Sequence, residues 1–200
     1  MSPLNIFLII TLALLLIFAK SDLAANKEES LVNPTLTPTV TSTPTPTPTP
    51  TIPQPAYFSI PEIQVLAPII PVGTDPYGKM ELPSDINTVG WYSPGFKPGE
   101  KGNAVIAGHL DSATGAGAIF YHLKELTLGD ELLVTGQDGR IRTFTVTDKK
   151  IFPYDQVPME EVFGANEAKR LNLITCTGTW NAAMQNYSHR MVIFSQLKEG

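Results

Sequence analysis

An all-β domain, a barrel or a sandwich, is the fold class the sequence predicts, on three observations. Short runs rich in β-branched and aromatic residues recur from about residue 57 onward. Pro and Gly crowd the connections, as in PEIQVLAPIIPVGTDPYG and YSPGFKPGEKGN, which argues against long helices. The chain has no internal repeat and no alternation of strand and helix patterns of the kind that marks a parallel α/β sheet.

Taken in order, the elements begin with LNIFLIITLALLLIFA at residues 4–19, which holds no charged side chain. As a helix it would reach roughly 24 Å, a little short of the ~30 Å hydrocarbon core of a bilayer. Small residues follow it (Ala19, Ser21, Ala24, Ala25), so a cleaved secretory signal and an uncleaved anchor compete; either carries the remainder across a membrane. Residues 1–25 are assigned to this segment. Residues 26–55 form a linker. Within it Thr stands at every odd position from 35 to 51, and Pro at eight positions from 34 to 55. Proline fixes φ and has no amide hydrogen, so the tract should run as polyproline II, a semi-rigid stalk of about 70 Å.

Residues 56–200 are left for one domain, enough to bury a core without disulfides. Residues 57–66 and 103–108 read as extended. Residues 131–135 and 141–146 flank QDGR, whose Asp138 and Gly139 give a hairpin signal. Residues 171–175 and 191–197 supply further strands, and 120–126 and 157–163 suit one or two helical turns each. Apolar residues make up 42%, charged residues 16%, and the net charge is -5. A chain with that balance offers no basic field for nucleic acid.

Cys176, in LITCTG, is the only cysteine. An exported domain usually spends its cysteines in pairs, and this one has no partner within the chain, so it is either a buried small hydrophobe or a thiol kept for chemistry. A reactive thiol needs a base, because near neutrality only a small fraction is thiolate. Three histidines are present: His122 in FYHLKEL, His189 before a strand, and His109 at the end of AVIAGHLDS. Gly108 before His109 permits close backbone approach, and strand ends carry more active sites than strand interiors. Arg190 begins RMVIFSQL fourteen residues after Cys176. A loop of ordinary length would return it beside the thiol as a cation for a developing oxyanion. Asp111 either orients His109 or caps its own loop. Trp91, Trp180 and Tyr187 either line a peptide groove or pack. No cluster has metal-ligand spacing, the Glu160 and Glu161 pair suits a solvated turn, and no metal, calcium or cofactor is expected.

His109 in AGHLDS, Cys176 in LITCTG and Arg190 in YSHRMVIF resemble, in order and setting, the His, Cys and Arg of the sortases. The wider text, GWYSPGFKPGEKGNAVIAGHLDS and FYHLKELTLGDELLVTGQDG, is most similar to the class F branch, and the resemblance spans roughly residues 57–197. It implies an eight-stranded β-barrel with one or two short helices and the site at one end. It implies cleavage of an LPXTG-like sorting signal between Thr and Gly, a thioester on Cys176, and transfer to an amine. Surface proteins with a C-terminal motif of that kind would be donors; a cell-wall precursor or a pilin-type lysine would be acceptor. His109 would protonate the departing amine and deprotonate the incoming one, while Arg190 would position substrate and stabilise the oxyanion with the Thr177 backbone amide. The expected location is the outer face of the membrane, or outside the cell if the first segment is cleaved. Two other readings stay open: a cysteine hydrolase with the same site, and a silent binding barrel.

Overall fold

The structure, a computed structural model, describes residues 51–199. The apolar segment at 1–25 and most of the Pro/Thr linker lie outside the described residues. No helix among the described residues is long and apolar enough to cross a membrane.

Eight strands close into a barrel: β1 (Pro55–Ile60), β2 (Val65–Val72), β3 (Val89–Tyr92), β4 (Gly102–Ala107), β5 (Glu131–Gly136), β6 (Ile141–Pro153), β7 (Lys169–Asn181) and β8 (Asn186–Leu197). Their order around the barrel is β1-β2-β3-β4-β7-β8-β6-β5, and β5 pairs with β1 to complete the ring. The β2/β3 and β4/β7 pairs are parallel and the others antiparallel. Among the described residues, helical structure amounts to one short α-helix, α1 (Met159–Phe163), and 3-10 turns at Pro61–Ile63 and Leu123–Glu125.

The interior follows the two-residue period of a strand. Phe58 and Ile60 of β1, Ala104 and Ile106 of β4, Leu132 and Val134 of β5, Leu171 and Leu173 of β7, and Met191 and Ile193 of β8 fill it. A second apolar cluster lies on the outer face: Val105, Val162, Val192 and Phe194, with Ile174, Val157, Phe163 and Met80 packed against them. Strand β4 is therefore buried along its whole length, inward against the core and outward beneath α1. A strand covered on both faces reads as a continuous apolar run, which is what AVIA is.

Two buried amides fasten α1 to that outer face. Asn172 of β7 donates to the Val162 carbonyl (2.8 Å), and Asn103 of β4 donates to the Gly164 carbonyl (2.9 Å). Both replace hydrogen bonds that the end of a five-residue helix cannot make internally.

The run expected at 57–66 is broken. Pro61 opens a 3-10 turn, Gln64 takes φ 55, and the chain folds into the β1/β2 hairpin. Strands β6, β7 and β8 run beyond their apolar stretches, because antiparallel pairing continues into polar sequence as far as Pro153, Asn181 and Asn186.

Candidate active site

Strands β4, β7 and β8 are neighbours, and each brings one of the three candidate residues to the same end of the barrel. Cys176 and Arg190 are direct Cα partners across the β7/β8 ladder. Both therefore project from one face, the outer face that also carries Asn172 and Ile174 of β7. Each lies inside its strand rather than at the strand's end, because the two strands continue past them as an extended hairpin. Parallel pairing sets Ala107 against Ile174, and His109 follows two residues further along the chain leaving β4. Thr175 fixes that register from within, its hydroxyl donating to the Gly108 carbonyl (2.8 Å). Gly108 is required by close approach: a Cβ there would stand 2.6 Å from Cδ2 of buried Phe120.

Beside Cys176 opens a cleft of about 470 Å³. Met80, Leu82, Val157, Met159, Phe163 and Ile174 give it apolar walls, and Asp75, Lys79, Glu81, Tyr154, Asn186 and Arg190 supply polar and charged lining. A mostly apolar cleft with polar groups beside a nucleophile suits a peptide that carries an apolar side chain. Among the described residues no group of three or more His, Cys, Asp or Glu is placed to hold a metal ion.

Arg190 is braced. Its Nη1 donates to the carbonyls of His189 (2.9 Å) and Tyr187 (3.3 Å), its Nη2 to Asn186 Oδ1 (2.7 Å), and its guanidinium lies over the Tyr154 ring. No carboxylate among the described residues neutralises it, so its charge remains available to the cleft. Burial pushes the Cys176 thiol above its ordinary value; Arg190 pulls it back and Asp111 pushes it up again. The resting thiol is accordingly protonated at neutral pH, and deprotonation has to be coupled to the reaction.

His109 Nε2 bonds the Pro83 carbonyl at 2.8 Å. Asp111 faces elsewhere: its carboxylate accepts from the Tyr187 hydroxyl in a short hydrogen bond, and it forms a bridge with Gly117 in the turn that follows His109. That bond holds the Tyr187 phenol protonated, its pKa pushed up to about 12. Thr177 pairs with His189. Neither of the other histidines joins the site: His122 bonds Glu125 (2.8 Å) and His189 bonds Ser188 (2.8 Å).

The aromatic candidates for a groove are occupied otherwise. Trp91 is 3% exposed in the core and donates to the Phe96 carbonyl, while Trp180, 51% exposed, packs edge-on against Tyr187. The groove is built instead by Leu82, Met159 and Phe163, which sequence reasoning missed. In PMEEVF the pair Met159 and Phe163 stands at the i, i+4 spacing of one helix face, a signal present but short.

The sequence matches the family model described as Sortase domain over residues 58–198. No curated protein matches it. Among the solved structures that share the barrel, three illustrate the likeness. Sortase C-1 from Actinomyces oris is 22% identical, with a TM-score of 0.58 over 72% of this chain and 74% of that one. A lid mutant of sortase A from Corynebacterium diphtheriae is 23% identical, with a TM-score of 0.57 over 76% and 73%. A sortase D5 transpeptidase from Clostridium perfringens is 20% identical, with a TM-score of 0.54 over 73% and 79%. At these identities the likeness carries the fold.

Proposed function

This chain belongs to the sortase family, a cysteine transpeptidase, and from that premise we propose that it cleaves an LPXTG-like sorting signal through a thioester on Cys176 and passes the acyl group to an amine. The supporting observation is the pairing of Cys176 with Arg190 on the wall of an apolar cleft, with His109 arriving from the adjacent parallel strand.

The donor peptide lies in the cleft with its leucine-like side chain against Leu82, Met159 and Phe163. The Cys176 sulfur attacks the threonine carbonyl, and the Arg190 guanidinium stabilises the charge that develops on the oxygen. The C–N bond then breaks, and His109 gives a proton to the leaving glycine amine. The acceptor amine attacks the thioester and returns a proton to His109, and the Cys176 thiolate leaves as the C–S bond breaks. The reactive pairing is thiolate with imidazolium, and because burial raises the pKa of the Cys176 thiol the thiolate is a minority form, so turnover is slow. The class F branch, the cell-wall or pilin-type acceptor and a position outside the membrane belong to the same proposal. The apolar stretch at residues 4–19 and the Pro/Thr tract behind it support the location.

The test uses the full-length protein with an LPXTG peptide and an amine, read by mass. Native protein should give an acyl-enzyme and a ligated peptide, and Cys176→Ala neither. Arg190→Lys should lose about 10-fold or more in acylation, because a lysine does not reproduce the planar donors. Cleaved peptide with no ligation would establish a hydrolase instead. No adduct with any sorting peptide would sink the catalytic reading.

A further inference from the structure

His109 makes one side-chain contact that the reaction above does not use. The Pro83 carbonyl oxygen can only accept, so the 2.8 Å contact requires the hydrogen to sit on Nε2. In the neutral ring Nδ1 is then the bare nitrogen, and in the charged ring Nδ1–H is the free donor. Nδ1 has no hydrogen-bond partner among the described residues. We infer that the Pro83 carbonyl is the group that orients His109, and that Nδ1 is the nitrogen exchanging protons with the leaving and incoming amines. This rests on His109 being the acid–base group of the proposed reaction.

The carbonyl is held in place by a built frame. Pro83 seats over Gly90 of β3, where a Cβ would stand 3.1 Å from Pro83 Cδ and 2.9 Å from a Val72 methyl. A turn at Asp85 follows at once: its Oδ1 accepts from Asn87 N–H (3.0 Å), its Oδ2 from the Thr88 hydroxyl (2.7 Å), and its carbonyl from Thr88 N–H (3.2 Å). That turn is tied to the chain beyond His109, because Ile119 N–H donates to the Ile86 carbonyl (3.0 Å) and Phe120 N–H to the His109 carbonyl (3.0 Å). In other nucleophile systems a carboxylate fixes the histidine tautomer. Here the nearby carboxylate of Asp111 is spent on Tyr187, and a backbone carbonyl takes that place.

The frame also touches the donor. Leu82, the residue before Pro83, lines the cleft. The segment that aims the imidazole therefore also borders the proposed donor site. Pro83 and Asp85 are positioning residues in this scheme and touch no reacting atom.

The direct reading is the tautomer of His109. Full-length protein labelled with 15N-histidine, observed by long-range 1H–15N correlation with His109 neutral, should show the Nε2–H pattern, assigned by its loss in His109→Gln. An Nδ1–H pattern in the native protein overturns the inference. Asp85→Ala should leave the melting temperature within a few degrees, turn His109 into a mixture of tautomers, and slow single-turnover acylation about 10-fold. Asp85→Asn keeps an acceptor for Asn87 N–H and should recover most of that loss. A native tautomer with native acylation in Asp85→Ala also overturns it. Because the spectrum needs no peptide, failure of this inference is separable from failure of the transpeptidase reading.

Discussion

The Cys176 thiol is set by three opposed influences: burial and Asp111 raise its pKa, and Arg190 lowers it. Only the thiolate alkylates, so the iodoacetamide rate of the native protein should rise with pH to a midpoint above that of an ordinary thiol. Arg190→Gln removes the one stabilising cation and should move that midpoint further up. Asp111→Asn removes an opposing charge and should move it down. A midpoint unchanged in both variants would mean that neither charge reaches the sulfur. His109, Cys176 and Arg190 stand out as candidates in the sequence because each sits in a short, distinctive context. The partner of His109 was not legible there, since a backbone carbonyl such as that of Pro83 leaves no residue-type signature.

At the level of elements, the turn at Asp138 and Gly139 was legible, while the turn at Pro61 and the extent of the strands were not. Asp138 and Gly139 do form the β5/β6 turn, with Gly139 N–H donating to the Gly136 carbonyl (2.9 Å). By contrast β2 carries Pro68 and Pro71, residues that argue against a strand, yet alternating Val65, Ala67 and Ile69 still bury one face. No strand was expected at β3, whose four residues are bounded by turn formers. Asn172 shows how a polar residue inside an apolar run can be structural, because its amide satisfies the end of α1. Asn172→Leu should cost about 1–3 kcal/mol in a urea titration, the penalty for a buried carbonyl left without a donor. Since Met159 and Phe163 of α1 line the cleft, the same variant should raise the donor KM more than it lowers kcat. A lower kcat at unchanged KM would show that α1 does not shape the donor groove.

Across the whole molecule, the site exists because β4, β7 and β8 are adjacent in space while β4 is distant from them in the chain. Periodicity fixes which residues face inward but not which strands pair, so the closed order and the parallel β4/β7 junction could come only from the resemblance or the structure. The barrel interior is nevertheless coupled to the chemistry through a short path. Phe58 of β1 packs edge-on against Phe120, with ring centroids 6.0 Å apart, and Phe120 fills the space over Gly108, the residue before His109. Both phenylalanines are fully buried. Phe58→Ala and Phe120→Ala should therefore each cost about 3–5 kcal/mol, a large share of a domain's usual 5–15, as read from denaturant unfolding. Their effects on activity should differ. Phe120 also bonds the His109 carbonyl through its backbone, so removing its ring frees the turn that carries the imidazole, whereas Phe58 packs against the Phe120 ring from β1. At a temperature where both variants stay folded, Phe120→Ala should lose about 10-fold in acylation and Phe58→Ala should stay within about threefold of native, a change of under 1 kcal/mol in the barrier. Equal losses in the two would mean that the barrel core supports the site only through global stability.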